Sequence, residues 1–145
     1  MKDKELGNII FDINDTGMPY YNSMIQKGHI VGNRDPVEYF KNHKNIVFEI
    51  EWMSPVEYLE KSYEIHIEIT ETYGGELMSF ERYIEDNIQF EDVAKYKERT
   101  LKGSKMPIPI LDYNNLSQEG RHRSIVAKEL GAEKIPVLVV RTYNE

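Results

Sequence analysis

The 145-residue chain has the length of one ordinary domain, and at 40% hydrophobic it carries enough apolar material for a single core. Its 18 Lys and Arg against 25 Asp and Glu leave a net charge of −7, which disfavours any role resting on neutralising nucleic-acid phosphates. The absence of cysteine excludes disulfides, Cys-ligated zinc, iron–sulfur clusters and thiol catalysis together.

Along the chain, the first 35 residues are punctuated by Gly and Asn around one apolar run, Ile9 to Phe11, and predict a short strand followed by irregular chain. Asp35-Pro36-Val37-Glu38 predicts a helix start, because Asp accepts free backbone N–H groups, Pro suits the first turn and Glu stands at the capping-box position. Ser54-Pro55-Val56-Glu57 repeats that chemistry, and two similarly capped helices explain the recurrence without an internal repeat. Between them Ile46, Phe48, Ile50 and Trp52 alternate with other residues at the period of a half-buried strand, and Ile65, Ile67 and Ile69 predict a second one ended by Gly74-Gly75.

Ser79 predicts a helix to about Asn87, and Glu91 to Leu101 predicts another, closed by Gly103. Ile108 to Tyr113 then reads as a strand, Asn114-Asn115 as a turn, and Leu116 to Glu119 as a return strand. Gly120 breaks the chain before a helix from Arg121 to about Leu130, Gly131 ends it, and Ile135 to Val140 reads as a buried strand. The expected class is α+β: a single domain over 1–145 with a mixed sheet flanked by short helices. Its expected parts are an irregular 1–45 with a short helix, a core from 46–59 and 103–142, and an acidic insert over 60–102. Charge follows that division, with 14 acidic against 4 basic residues from Glu49 to Glu98, and 6 basic against 5 acidic from Gly103 to the end. The apolar runs are far below the roughly 18 residues a membrane helix needs, and no apolar signal region opens the chain, so a cytoplasmic protein without membrane association is expected.

Gly120-Arg121-His122-Arg123-Ser124 stands where a strand meets a helix N-terminus. Unpaired backbone N–H groups and the macrodipole favour an anion there, and the side chains add charged and neutral donors. Cations in a first helical turn are electrically misplaced by roughly 0.3 to 1 kcal/mol each, so Arg121 and Arg123 call for a compensating anion. Either a bound phosphate supplies it, or an internal carboxylate such as Glu119 or Glu129 does and His122 is an ordinary packed residue. His29, His43 and His66 lack metal-ligand spacing and carry no assigned role, and no metal ligands are assigned.

Pro107 to Asp112, Glu119 to Gly131 and Ile135 to Val140 together resemble the core of the ParB/sulfiredoxin superfamily, marked by a strand, Gly-x-(His/Arg)-Arg, a helix with Ala and a closing Gly, and an Ile-Pro-Val strand. Ile46 to Leu59 is similar to the first strand and helix of a ParB-like group frequent in phage and mobile-element genomes, and Asp15 to Pro19 is a weaker echo of its N-terminal segment. The resemblance implies a nucleotide or phosphate site, with ATP or CTP and Mg²⁺ as cofactors and NTP hydrolysis or phosphoryl transfer to a small acceptor as the activity. It implies that Gly120 permits close backbone approach and that Arg121, His122, Arg123 and Ser124 contact phosphates. Glu51 is the implied catalytic base with His122 as a second catalytic group, although a solvated strand carboxylate is the commoner fate of such a residue. Sulfiredoxin chemistry is excluded, because Arg121 stands where its cysteine would, and no helix-turn-helix for chromosome partitioning is read. Two other functions stay open: a non-enzymatic phage or mobile-element protein that binds and inhibits a host protein through its acidic face, and a ParB-like nuclease, against which the charge balance counts.

Overall fold

Long apolar alternation and helix-capping serines dictate most of what forms. The computed structural model describes residues 4–6, 9–26 and 46–142. In chain order these form β1 (Lys4–Leu6), β2 (Ile9–Asp12), α1 (Pro19–Gln26), β3 (Ile46–Met53), α2 (Pro55–Tyr73), α3 (Phe80–Asn87), α4 (Phe90–Leu101), β4 (Met106–Pro107), β5 (Ile110–Asp112), β6 (Ser117–Glu119), α5 (Arg121–Glu129) and β7 (Ile135–Thr142). The class is α+β, with five helices among the described residues.

The larger sheet is mixed, in the order β3-β7-β5-β6. β3 and β7 run antiparallel from Ile46 opposite Thr142 to Met53 opposite Ile135, β5 lies parallel to β7, and β6 returns antiparallel to β5. Successive strand residues point to opposite faces, so this register puts Phe48, Val140 and Asp112 on one face and Glu51, Val137, Val139, Leu111 and Gln118 on the other. α1 covers the first face: the Tyr21 ring lies 6.1 Å from Phe48, and its hydroxyl donates to Asp112 Oδ2 at 2.6 Å. α2 covers the second, with the Tyr58 hydroxyl 3.4 Å from Gln118 Oε1; α2 packs on α5, and α5 on α4. A smaller sheet, β1-β2-β4, pairs Phe11 with Met106 and brings the loop after β2 against the chain entering β5, where Ile108 N donates to Asp15 O at 2.8 Å.

Ser54 and Ser79 cap their helices as expected, accepting from Glu57 N and Arg82 N. The strand expected over Ile65 to Ile69 is instead the middle of α2. Pro55, Tyr58, Leu59, Ser62 and Ile65 are its buried residues, with Ile69 partly buried one turn on, which is a helical stripe. Ile65 and Ile69 belong to that stripe and to a period of two alike, and the short window hid the difference. The chain after Asp15, expected to be irregular, holds α1: Pro19 supplies a first-turn residue, and Asn22 Oδ1 accepts from Thr16 N and Oγ1. The strand expected from Ile108 is shorter, because Met106 and Pro107 pair into the smaller sheet before the chain joins the larger one at Ile110. The helix start at Asp35, together with His29 and His43, lies outside the described residues.

Candidate functional site

A glycine and two side chains build the junction between β6 and α5. Gly120 is the N-cap of α5, at φ +117°, a conformation L side chains rarely adopt. A Cβ there would stand 2.7 Å from Pro109 Cβ, so the glycine is required by close approach as well as by dihedral. From α2, buried Tyr58 reaches across to donate to Glu119 O at 2.8 Å, and Ser124 donates back to Pro55 O at 2.9 Å. Burial among apolar residues pushes the Tyr58 phenol well above its ordinary range, so it stays a neutral donor. The start of α5 is thereby locked to the start of α2.

The structure divides the run Gly120 to Ser124 into four roles. Arg123 is 5% exposed and turns inward, where Nη2 donates to Thr16 O at 3.1 Å and Ile108 O at 3.2 Å. Its Nη1 stands 3.6 Å from Glu119 Oε1, so Arg123 has an internal carboxylate and two carbonyls as partners. Ser124 is buried on Pro55. His122 points to the N-terminus of α4, where Nε2 lies 3.0 Å from Gln89 N, a donor to the bare nitrogen, and 2.8 Å from Gln89 Oε1, an acceptor from the protonated one. Burial, reinforced by the Arg121 and Arg123 charges, lowers its pKa and favours the neutral ring.

Arg121 is different. Its Nη1 donates to Tyr83 Oη at 2.9 Å and its guanidinium lies 5.4 Å from the centre of that ring. It has no carboxylate within ion-pair distance among the described residues. Tyr83, 3% exposed, is itself hydrogen-bonded to Ser62 Oγ of α2. These residues wall a cavity of about 310 Å³ between α2, α3, β6 and the start of α5. Its polar lining is Ser62, His66, Tyr83, Asn87, Ser117, Gln118 and Arg121, and its apolar lining is Ile65, Ile69, Met78 and Leu116. His66, on the cavity wall, stacks on Tyr63 and lies tilted against Tyr83, and its Nε2 is buried with no hydrogen-bond partner. A buried polar atom left unpaired costs about 1 to 3 kcal/mol.

Glu51 is not brought to this junction. It lies on β3, three strands from β6, or roughly 14 Å at about 4.8 Å per strand. Its carboxylate is engaged by Arg141, with Nη2 to Oε2 at 3.0 Å and Nε to Oε2 at 3.2 Å. The cavity lining holds no carboxylate, so it fits an oxyanion but gives a hard divalent cation such as Mg²⁺ no anionic protein ligand. No cluster of three metal-ligating side chains occurs among the described residues.

Tyr83, Ser62 and His66 are the site residues that sequence reasoning missed. Part of the signal is in the sequence, since Ser62 and His66 stand one helical turn apart, but the strand expected over residues 64–70 conceals it. No protein-family model matches the chain, and neither a curated protein nor a solved structure does.

Proposed function

We propose that this chain is a small ParB-like binding domain that takes a phosphate-bearing ligand, such as a nucleotide, in the cavity beside the N-terminus of α5. The observation that carries this reading is Arg121: a first-turn cation, misplaced by its helix dipole, held by a neutral phenol and turned to a cavity without acids. The unpaired His66 Nε2 on the same wall is a second group that a ligand hydroxyl or phosphate would satisfy. The order β5, β6, Gly120, α5, β7, with β7 parallel to β5, agrees with the resemblance seen in residues 107–140. Arg121 is the anion contact in this reading, whereas Arg123 and Ser124 build the junction. Catalysis is left out of it, since Glu51 is engaged by Arg141.

Calorimetric titration with inorganic phosphate, AMP, ATP and CTP tests it. At least one of these is expected to bind saturably, and Arg121→Gln to weaken binding about tenfold or more, the loss of one charge-assisted contact of roughly 1.5 to 3 kcal/mol. The melting temperature should hardly move, because Arg121 supports no buried acceptor but the Tyr83 hydroxyl. No heat from any of the four, or equal affinity in the variant, contradicts the reading.

A further inference from the structure

A second hollow, of about 440 Å³, opens along the neighbouring face of α3 and has a different chemistry. Val56 and Leu59 of α2, Phe80 and Ile84 of α3, Phe90 of α4 and Ile125 of α5 floor it. Phe90 is 64% exposed and Val56 39%, so a large aromatic and a branched side chain face solvent at a concave site. Contiguous exposed apolar surface in a groove between helices is what an amphipathic partner segment covers.

Beside the lining residues in sequence, the helices around the groove carry a rim of mostly acidic exposed side chains, with Lys95, one turn after Glu91, as a cation among them. Glu60 follows Val56 by one turn, Glu81 and Glu85 adjoin Phe80 and Ile84, and Glu91 adjoins Phe90. All four are exposed and none is ion-paired among the described residues. Lys128 is the one unpaired cation in the lining, since Glu129 is held by Lys97 at 3.2 Å. The rim belongs to the span Glu49 to Glu98, with its 14 acidic and 4 basic residues. Such a rim attracts a cationic partner and repels both a second copy of this acidic chain and an anionic lipid surface.

We infer that this groove binds a basic amphipathic segment of another protein, with apolar side chains at helical spacing seated on Phe90, Val56 and Ile125, and Lys or Arg meeting Glu60, Glu81, Glu85 and Glu91. The inference is independent of the phosphate cavity, which shares no lining residue with the groove.

The test uses a fluorescent Leu/Lys peptide with Leu at i, i+3, i+4 and i+7, and a Leu/Glu peptide of the same spacing. Fluorescence anisotropy should show saturable binding of the first and none of the second. Phe90→Ser should weaken binding about tenfold, the double change Glu81→Lys with Glu85→Lys should weaken it and its salt dependence, and Arg121→Gln should leave it unchanged. Phe90 is largely in solvent, so the variant should fold as the wild type does, checked by circular dichroism. Equal binding to Phe90→Ser would mean simple charge attraction and overturn the inference, as would no binding at all. A wild-type dimer in sedimentation that Phe90→Ser dissolves would overturn it in favour of a second copy.

Discussion

Arg121 and Arg123 are two residues apart and do opposite things, and the difference lies in what each guanidinium can reach. Arg123 is buried against the carbonyls of Thr16 and Ile108, two groups that would otherwise lack a partner in the interior. Arg123→Ala is therefore expected to destabilise the fold by about 3 kcal/mol, read by urea unfolding, because it strands both acceptors. Arg123→Lys should recover little, since an ammonium cannot serve two carbonyls and Glu119 in the same plane. Tyr21 makes a second such bond, with Asp112, whose carboxylate also accepts from Asn114 N and Asn115 N at 2.9 Å. Burial and the Asp112 hydrogen bond raise the Tyr21 phenol to about 12. The folded value lies above the unfolded one of 10, so this contribution is whole below pH 10 and is lost as pH rises toward 12. Tyr21→Phe should cost about 1 kcal/mol at neutral pH and remove that part of the alkaline loss, measured by unfolding across pH 9 to about 12.

At the scale of elements, the β6–α5 junction depends on a left-handed glycine and on bonds that tie α5 to α2 and α4. Gly120→Ala is expected to destabilise by about 2 kcal/mol or more, through the Pro109 clash and the positive φ together, by the same urea measurement. His122 joins α5 to α4 through Gln89, and its folded pKa lies below the ordinary 6.5. The unfolded chain then takes up the proton more readily, so this support is full above pH 6.5 and is lost as pH falls through the folded value. The stability difference between wild type and His122→Phe should shrink as pH drops below that point; a difference constant from pH 8 to about 5 would contradict it. The junction was legible in the sequence because Gly120 and the caps Ser54 and Ser79 act locally. α2 was not, because Ile65, Ile67 and Ile69 satisfy a strand period over five residues, while its buried stripe shows only from Tyr58 onward. α1 was hidden by Gly17 and Pro19, which read as loop until Asn22 closes the turn on Thr16.

Over the whole molecule, β3 and β7 set the frame that positions everything else, and their apolar patterns made the larger sheet readable in advance. The acidic insert expected over 60–102, with the start of α2 before it, supplies walls of both hollows: α2 and α3 flank the cavity at Arg121, and α2, α3 and α4 line the groove at Phe90. Which of five adjacent donors faces outward was not legible, because that depends on Tyr58, Tyr83 and Thr16, residues distant in sequence that decide where each side chain finds a partner. In the proposed reading the anion contact is Arg121 with the His66 ring behind it, in place of a five-residue cradle. Amide and Arg side-chain NMR spectra recorded during a phosphate and nucleotide titration test this most directly. The account predicts saturable shifts at Arg121 Nε, Ser117, Gln118 and the His66 ring, with Arg123 Nε unmoved. Shifts confined to other surfaces, or the same response in Arg121→Gln, would contradict it.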